Sequence, residues 1–278
     1  MKNAVLLIDY QQDFCNILEG SLYVQGARED CDRASNWLKK NESNIDHIYA
    51  SLDTHLQGSI FFSSYWQDKN GKHPSPFTVI TSEDVSSKKW TPEKVENSVW
   101  AQHYVDELAK ANKVLVIWPL HCISETPGHK LYSVINTFIE NYALLRKAEG
   151  DEHPVTIISK GMDRRTEMFG IFFPEVATTE LVEHSNPIDK LHQMNEYDRL
   201  IVMGEARSHC VLSTLQQIAA ESPSLLKKTV VLLDTMSVIP GFEQSTKDGF
   251  ESLERRGMTI TDTAIFSLSE TISGYSRL

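Results

Sequence analysis

The residues of this chain that could do chemistry stand at corresponding places in its predicted secondary structure. Each lies at or just beyond the carboxyl end of a short apolar segment that predicts a β-strand; they are Asp9, Asp53, Trp118, His121, Lys160 and Cys210. In an open parallel sheet, the carboxyl ends of the strands converge on one crevice. Any one such residue is more often structural, since Asp commonly caps a helix and Lys is usually solvated. Six at equivalent positions indicate a functional site.

Cys210 is the candidate nucleophile in this set. It lies in the segment 204–211, between a predicted strand and an apolar helical stretch. A cysteine at the start of a helix lies near unpaired N–H groups and the positive end of the helix dipole, which favour the thiolate. The local sequence is equally consistent with a buried cysteine that has no chemical role, because free cysteines are commonly buried.

Asp53 and His55 form a second cluster, separated by one residue. If the chain stays extended there, both side chains leave from the same side and can share a ligand. His121 would complete a set of one carboxylate and two imidazoles, which suits one divalent metal ion (Zn, Fe or Mn) and leaves coordination positions open for water. The Asp-x-His pair alone is also consistent with a helix cap and a surface histidine.

These residues require a sheet to bring them together. Continuous apolar, β-branched segments predict buried parallel strands; they are residues 4–8, 48–52, 114–118, 155–159, 200–203, 230–233 and, more weakly, 258–260. Amphipathic stretches between them predict helices covering both faces of the sheet; they are residues 28–40, 92–111, 129–148 and 210–220. The predicted fold is an open, doubly wound α/β domain with a mostly parallel sheet.

A long insertion follows the second predicted strand, over about residues 57–112. Its first part, 57–89, lacks sustained periodicity and predicts an irregular excursion. Its second part predicts a helix over 92–111, with Thr91 as N-cap, Pro92 at the first helical position and Glu93 in the first turn. Because the excursion carries enough aromatic residues to be packed, we expect it to form a lid or a subunit contact in a homo-oligomer.

Composition narrows the possible partners and location. The chain has 278 residues, 41% of them hydrophobic, and no Gly/Ser/Pro-rich linker, which predicts a single domain over 1–278. A net charge of −11 without any Lys/Arg-rich run argues against nucleic-acid or membrane partners, because phosphate binding needs clustered positive charge. The N-terminal apolar run is interrupted too early, by Asp9, for a signal peptide or membrane span. Four cysteines, better interpreted as free thiols than as disulfides, agree with a cytoplasmic protein.

Taken together, these segments resemble a known family. They are 8–15 (Ile-Asp-Tyr-Gln-Gln-Asp-Phe-Cys), 53–55 (Asp-Thr-His), 118–122 (Trp-Pro-Leu-His-Cys), 126–128 (Thr-Pro-Gly), 160–161 (Lys-Gly), 204–206 (Gly-Glu-Ala) and 209–211 (His-Cys-Val). In content and order they are similar to nicotinamidases of the isochorismatase-like cysteine hydrolase superfamily. The resemblance runs from about residue 3 to the last predicted strand, and the combined set is far more specific than any one segment.

The resemblance implies a catalytic triad. Cys210 would attack an amide carbonyl and form a thioester, Asp9 would take the thiol proton as general base, and Lys160 would hold the anionic pair together. General chemistry agrees, since a thiolate needs a nearby base and a stabilising cation. The resemblance also implies an oxyanion hole formed by the N–H groups of Ala206 and Cys210, with a cis peptide bond between Glu205 and Ala206.

The resemblance further implies how substrate binds. The metal ion held by Asp53, His55 and His121 would anchor a pyridine nitrogen, and Phe14 and Trp118 would sandwich the ring. The expected reaction is hydrolysis of a small heteroaromatic carboxamide, such as nicotinamide, to the acid and ammonia. The alternatives are an isochorismatase-like hydrolase acting on another small amide or an ether, and a non-catalytic binding module. True isochorismatases lack the nucleophilic cysteine, so Cys210 argues against the ether version.

The sequence departs from the family pattern at three places. Glu205 stands where family members usually have an aliphatic residue, and residues 161–173 lack the expected tyrosine-containing loop. The path after His55 is also unusually long, with His73 as either an extra metal ligand or a surface histidine. We therefore expect the excursion to reshape the pocket mouth and make nicotinamide a slow substrate or a non-substrate. The alternative is that it packs away from the crevice and only enlarges an oligomer interface.

Overall fold

A sheet of parallel strands forms the centre of the protein. The computed structural model describes residues 1–178 and 187–269. Its strands are β1 (Asn3–Ile8), β2 (His47–Asp53), β3 (Trp66–Gln67), β4 (Val79–Ile80), β5 (Thr91–Pro92), β6 (Leu115–Val116), β7 (Val155–Lys160), β8 (Arg199–Gly204), β9 (Thr229–Leu232) and β10 (Thr259–Thr261). Six of them form the central sheet in the order β10-β9-β8-β1-β2-β7, with every pairing parallel.

Helices cover both faces of this sheet. They are α1 (Gln12–Cys15), α2 (Ala27–Asn41), α3 (Ser82–Ser86), α4 (Ser98–Lys110), α5 (Ser133–Ala148), α6 (Pro187–Asn195), α7 (Leu212–Glu221), α8 (Pro223–Lys228) and α9 (Glu243–Arg255). Successive residues of β1 point to opposite faces, so Val5 and Leu7 pack in the core formed with α2 and α5. Leu6 and Ile8 pack in the core formed with α7, α8 and α9. The predicted doubly wound fold is confirmed.

The order of the strands reverses beside β1. The chain runs outward from β1 through β2 to β7, returns to β8 on the other side of β1, and then runs outward through β9 to β10. A reversal of this kind opens a crevice at the carboxyl ends of the two strands on either side of it. The residues that follow β1 and β8, among them Asp9 and Cys210, are therefore placed at the same crevice. Within the described ranges, no helix is long and apolar enough to cross a membrane.

The predicted strand 114–118 is wrong as a member of the central sheet. Only Leu115–Val116 are in a strand, β6, and it pairs antiparallel with β4. The next two residues continue within the excursion, since the Ile117 N–H donates to Thr78 O and the Trp118 N–H to Phe61 O. The apolar residues of this segment are buried against the excursion instead of between helices of the main sheet. Hydrophobicity alone does not distinguish these two kinds of burial.

The predicted helix 92–111 is right in its second half and wrong in its start. Thr91 and Pro92 form β5, which pairs antiparallel with β3, and the Glu93 N–H donates to Tyr65 O. α4 therefore begins only at Ser98, after a 3₁₀ turn over Val95–Asn97. The sequence has a good helix start at Thr91, but tertiary pairing of this segment overrides it. The predicted helix 129–148 likewise begins later, at Ser133.

The excursion is a folded layer with its own apolar core. Phe61, Phe62, Trp66, Tyr104 and Ile117 are at most 1% exposed and belong to one buried cluster. Burial of such large side chains offsets the entropy lost in ordering a long connection. The expectation of a packed excursion agrees with this arrangement. The expectation of an irregular one does not, because residues 57–89 contain α3 and the short strands β3 and β4.

We predict that replacing Thr81 by alanine lowers the free energy of unfolding much more than replacing Thr91. Thr81 caps α3 in a reciprocal capping box with Asp84, whereas Thr91 caps no helix and its hydroxyl donates only a 3.3 Å hydrogen bond to Gln67 O. Thr81→Ala should lower the free energy of unfolding by roughly 0.5–2 kcal/mol. Thr91→Ala, the matched control, should change it by about 0.5 kcal/mol or less. Urea denaturation of both variants measures the difference, and equal losses would contradict the assigned helix starts.

Candidate active site

Lys160 lies at the centre of a buried cluster of reactive groups. Its Nζ is 3.0 Å from Asp9 Oδ2 and 2.8 Å from Asp53 Oδ1. The same Nζ is 3.7 Å from Cys210 Sγ and 3.0 Å from Met168 O. All four side chains in the cluster are at most 6% exposed. The structure thus brings together the three residues predicted as a triad and one predicted metal ligand.

Strand pairing places these side chains. Asp53 and Lys160 are register partners at the ends of β2 and β7, so their side chains emerge side by side. Asp9 follows β1 in the left-handed backbone region, at φ 50°. Ser51, from the middle of the sheet, donates its hydroxyl to Asp9 Oδ1 at 2.6 Å and accepts the Asp9 N–H at 3.1 Å. The carboxylate of Asp9 is therefore fixed from two sides.

The charge of Lys160 is stabilised by its neighbours. Burial favours the neutral amine, but the carboxylates of Asp53 and Asp9 outweigh it and hold the pKa of Lys160 well above its ordinary value. Burial likewise opposes the charge of Asp53, and here His55 and Lys160 prevail and lower its pKa. These neighbours therefore favour the charged ammonium form of Lys160.

Burial opposes the effect that the start of a helix is expected to have on Cys210. It raises the pKa of the thiol well above its ordinary value, and Lys160 only partly offsets this effect. Cys210 lies in a π-helical turn, Arg207–Val211, that leads into α7. Burial also raises the pKa of Asp9, against the effect of Lys160, and a carboxylate oxygen of Asp9 lies within 4.8 Å of Cys210 Sγ. The two groups are therefore close together, which fits transfer of a proton from the sulfur to the carboxylate.

The predicted metal ligands also converge. Asp53, His55 and His121 offer ligand atoms that all lie within 4.8 Å of one another, and each residue is buried. His55 Nε2 is 2.9 Å and His121 Nε2 is 3.8 Å from Asp53 Oδ2. Burial, and then His55, lower the pKa of His121 to about 4, so this imidazole is neutral near pH 7 as a metal ligand must be.

Backbone carbonyls orient both histidines. His55 Nδ1 is 3.2 Å from Gly161 O, and His121 Nδ1 is 2.8 Å from Pro119 O. Because a carbonyl only accepts, each Nδ1 donates to its carbonyl, and each Nε2 faces Asp53 Oδ2, on the side where a metal ion would bind. This donor set and its supporting hydrogen bonds fit a divalent cation such as Zn, Fe or Mn.

Gln11 holds the backbone of Asp53, a role that sequence reasoning missed. Its side-chain Oε1 accepts the Asp53 N–H at 2.7 Å, and its Nε2 donates to Asp53 O and to His129 O, both at 2.8 Å. Asp13 acts in the same way one residue from His121, since its Oδ2 accepts the Cys122 N–H at 2.7 Å. Both residues stand in the segment 8–15 that carries the family resemblance, but spacing alone does not say which backbone they bind.

His73, the candidate extra ligand, lies elsewhere. Its side chain is exposed, and its Nδ1 lies 2.6 Å from Trp66 O. Among the described residues, the cluster of possible ligands at Asp53 does not include it. It is a surface histidine of the excursion.

A narrow pocket opens beside the cysteine and the metal ligands. Its wall is formed by Phe14, Leu22, Val24, Asp53, His55, Trp118, His121, Glu167, Met168, Phe169, Ala206, His209, Cys210 and Ile239. The centres of water molecules can occupy only about 40 Å³ of it, which suits a small ligand. Both predicted ring contacts, Phe14 and Trp118, are in the wall. So are Ala206 and Cys210, and the peptide bond between Glu205 and Ala206 is cis.

Glu167 orients the indole ring of Trp118 in the pocket wall. The sequence did not identify Glu167 as a pocket residue. Trp118 Nε1 donates a 2.7 Å hydrogen bond to Glu167 Oε1, and both residues are buried. Burial, and then the charge of Glu175, raise the pKa of Glu167 well above its ordinary value. His209 faces Trp118 at 5.8 Å, and burial lowers its pKa to about 4. Burial thus favours the uncharged forms of both Glu167 and His209 in this part of the pocket wall.

We predict that a methyl group at Gly161 disrupts the metal ligands. A Cβ there would lie 2.7 Å from His55 Cε1 and 3.1 Å from Asp53 Oδ1, and the residue has φ +78°. Gly161→Ala should therefore lower the bound metal per chain by at least about tenfold at limiting metal, as for loss of a supporting contact. Gly150→Ala is the matched control, since Gly150 also has positive φ, +97°, but open space around it. Elemental analysis compares the two; equal metal content would contradict the assigned site.

Comparison with known proteins places this geometry in context. No protein-family profile matches the chain. The nicotinamidase of Saccharomyces cerevisiae is 22% identical over 259 residues, which cover 93% of this chain and 99% of that protein. The crystal structure of the yeast nicotinamidase bound to the inhibitor nicotinaldehyde aligns with a TM-score of 0.62 at 20% identity, over 94% of this chain and 99% of that chain.

Two microbial structures agree. A nicotinamidase/pyrazinamidase of Acinetobacter baumanii aligns with a TM-score of 0.61 at 17% identity, over 95% of this chain and 97% of that chain. A pyrazinamidase of Pyrococcus horikoshii in complex with zinc aligns with a TM-score of 0.55 at 17% identity, over 94% and 99%. The chain therefore has the fold that these proteins share.

Proposed function

The chain resembles nicotinamidases in sequence and has their isochorismatase-like fold, and from this premise we propose that it is a metal-containing cysteine amidohydrolase. Its reaction would convert a small heteroaromatic carboxamide, such as nicotinamide, to the acid and ammonia. The observation that carries the proposal is the placement of Lys160 Nζ within 3.0 Å of Asp9 and 3.7 Å of Cys210 at the edge of a small pocket.

The first half of the reaction would form a thioester. Asp9 takes the proton of the Cys210 thiol as the sulfur attacks the amide carbonyl carbon, so a C–S bond forms and the carbonyl oxygen becomes negative. The N–H groups of Ala206 and Cys210 receive this oxygen. When the intermediate collapses, the C–N bond breaks and Asp9 returns the proton to the departing nitrogen, which leaves as ammonia.

The second half would consume one water molecule. Asp9, again a carboxylate, takes a proton from water as its oxygen attacks the thioester carbonyl carbon. The C–S bond then breaks, the acid leaves, and the proton on Asp9 returns to the sulfur of Cys210. Lys160 keeps its charge throughout and offsets the negative charge that moves between Asp9 and Cys210.

Asp53, His55 and His121 would hold the metal ion, Zn, Fe or Mn. When bound, the ion would supply an electrophilic anchor for a ring nitrogen of the substrate. Phe14 and Trp118 would contact the two faces of the ring.

The insertion over 57–112 contributes to this site indirectly. Within the described ranges, no residue of 57–112 is in the pocket wall, but the rings of Phe61 and Phe62 pack edge-on against His55, at 4.6 and 5.8 Å. We infer that the insertion supports the metal end and leaves the size of the pocket to other residues. This favours the alternative in which nicotinamide is an ordinary substrate.

Oligomeric state and location are further parts of the proposal. Val95, just before α4, is 79% exposed, and Val99, in the first turn of α4, is 84% exposed. These exposed apolar side chains fit a subunit contact in a homo-oligomer. All four cysteines are free, which fits a reducing compartment such as the cytoplasm.

We predict that Cys210→Ala lowers kcat for nicotinamide by at least about 10⁴-fold, because the nucleophile acts as a unit with its base. Asp9→Asn should lower it by about 10²–10⁴-fold. Cys31→Ala, a buried cysteine on α2, is the control and should retain activity. Steady-state kinetics across a panel of carboxamides and ethers measures these effects. Full activity of both Cys210→Ala and Asp9→Asn would refute the triad.

We predict that removal of the metal weakens the binding of ring-nitrogen ligands. Exhaustive chelation should remove about one divalent ion per chain and raise the dissociation constant of nicotinate by at least tenfold, about 1.4 kcal/mol. Benzoate, which has the same ring size without the nitrogen, is the control ligand and should bind equally with and without metal. Calorimetric titration of both acids tests this, and a metal-free protein with unchanged nicotinate binding would contradict the assignment.

A further inference from the structure

Glu205 is a fully buried acid next to the pocket that the proposed chemistry does not use. It lies between β8 and the turn that carries Cys210, and it is 0% exposed. It precedes Ala206, whose N–H the proposed function assigns to the oxyanion hole. A buried carboxyl is costly unless something pairs with it, so its contacts are informative.

Ser237 binds both neighbours of Ala206. Its backbone N–H donates to Glu205 Oε2 at 3.2 Å, and its backbone carbonyl accepts the Arg207 N–H at 2.8 Å. The residue between these two anchor points, Ala206, is therefore held by one neighbouring loop from both sides. The Glu205 N–H is bound as well, to Ile8 O at 2.9 Å, which joins the same peptide to β1.

Asp30 of α2 completes the arrangement. The Ser237 hydroxyl donates to Asp30 Oδ2 at 2.5 Å, and Asp30 also accepts a hydrogen bond from Arg33. Gly26 makes this approach possible, since a Cβ there would lie 2.5 Å from the Ser237 hydroxyl and the residue has φ +99°. The start of α2 is thus fixed against the loop that holds Ala206.

The carboxyl groups of Glu205 and Asp30 are neighbours. Glu205 Oε1 is buried and has no hydrogen-bond partner in the described ranges. Burial, and then Asp30, raise the pKa of Glu205 well above its ordinary value, which favours its uncharged form. A protonated carboxyl group can donate to a carboxylate, whereas two carboxylates cannot hydrogen-bond to each other.

Other side chains surround these two carboxyl groups. The titratable and charged groups that face the pair are Tyr10, Cys15, Cys31, Arg33 and Arg207. Arg33 pairs with Asp30. Arg207 is half-buried, and its Nε has no hydrogen-bond partner within the described ranges. Two arginine side chains therefore face the two carboxyl groups.

We propose that Glu205 is a positioning residue: its side chain accepts the Ser237 N–H and lies beside Asp30, and so it holds the Ala206 N–H in the place where the carbonyl oxygen of the substrate becomes negative. This inference rests on the proposed amide hydrolysis. It explains why an acid stands at a position where the resemblance leads one to expect an aliphatic residue. Glu205 touches no substrate and acts only through the neighbouring peptide.

Replacement by Gln and by Leu separates this role from simple packing. Glu205→Gln keeps one donor for Asp30 and one acceptor for Ser237, and should retain kcat within about threefold of wild type. Glu205→Leu has a similar size but neither bond, and should lower kcat roughly 10- to 100-fold with KM nearly unchanged, since loss of a whole oxyanion donor costs about 10²–10³-fold. Nicotinamide is the substrate used.

A second measurement, the binding of an aldehyde, does not depend on turnover. An aromatic aldehyde such as pyridine-3-carbaldehyde adds to a thiol and places an oxyanion in the same position, so its dissociation constant should rise in Glu205→Leu and not in Glu205→Gln. The dissociation constant of nicotinate should stay the same in both. If wild type hydrolyses no carboxamide, the proposed function fails, yet the aldehyde ratio still tests Glu205.

Controls keep a folding defect apart from a positioning defect. Thr229 stands at the start of β9, away from the pocket wall, and its hydroxyl donates a buried 2.9 Å hydrogen bond to Leu225 O of α8. Thr229→Val removes this bond and should lower stability without changing kcat. If Glu205→Leu does not fold, Ser237→Ala removes only the hydroxyl link to Asp30 and should lower kcat several-fold with KM unchanged. Equal kcat in wild type, Glu205→Leu and Ser237→Ala would overturn the inference, as would equal losses in Glu205→Gln and Glu205→Leu.

Discussion

The buried ammonium group of Lys160 is the interaction on which the rest of the site depends. Two carboxylates, Asp9 and Asp53, are buried beside it, and a buried charge without a partner costs several kcal/mol. Lys160 lies within 3.0 Å of an oxygen of each. Without this cation, both carboxyl groups would be driven to the neutral form, and the site would have neither a base nor an anionic metal ligand.

Asp53 belongs to both halves of the site. Its Oδ1 faces Lys160 and its Oδ2 faces the two histidines, so the cluster around Lys160 and the candidate metal ligands share one carboxylate. Gln11 fixes its backbone through the N–H and the carbonyl, and the pairing of β2 with β7 fixes its register against Lys160. A displacement of this strand end would change the geometry of both halves together.

Burial explains the chemistry as well as the architecture. Burial raises the pKa of the Cys210 thiol, so the proposed attack by its sulfur needs a nearby base, which Asp9 would provide. The same low-dielectric surroundings strengthen the interaction of the reacting groups with Lys160. At the other side of the pocket, burial raises the pKa of Glu167 beside Trp118, which fits a flat, uncharged ring better than an anionic ligand.

Most of the central fold and of the candidate site could be predicted from the sequence, and particular residues show where this stopped. Six buried apolar segments predicted the strands of the central sheet. Asp9, Asp53, Lys160 and Cys210 stand at or just beyond the ends of such segments. Because the carboxyl ends of parallel strands meet at one edge of a sheet, these four residues could be predicted to lie together. The segment 114–118 has the same apolar character but is buried against the excursion, and the good helix start at Thr91 is used by β5. Local propensity cannot distinguish such cases, since the competing interactions come from distant residues.

Residue types and their order along the chain thus determined the class of fold, the convergence of the reactive groups and the nature of the metal ligands. Only the tertiary structure decided the protonation of Cys210, the hold of Gln11 on Asp53, the contact of Glu167 with Trp118 and the pairing of Glu205 with Asp30. The physical reason is that pKa values and hydrogen bonds of buried groups depend on burial and on partners far away in sequence, such as Asp30, which lies 175 positions before Glu205.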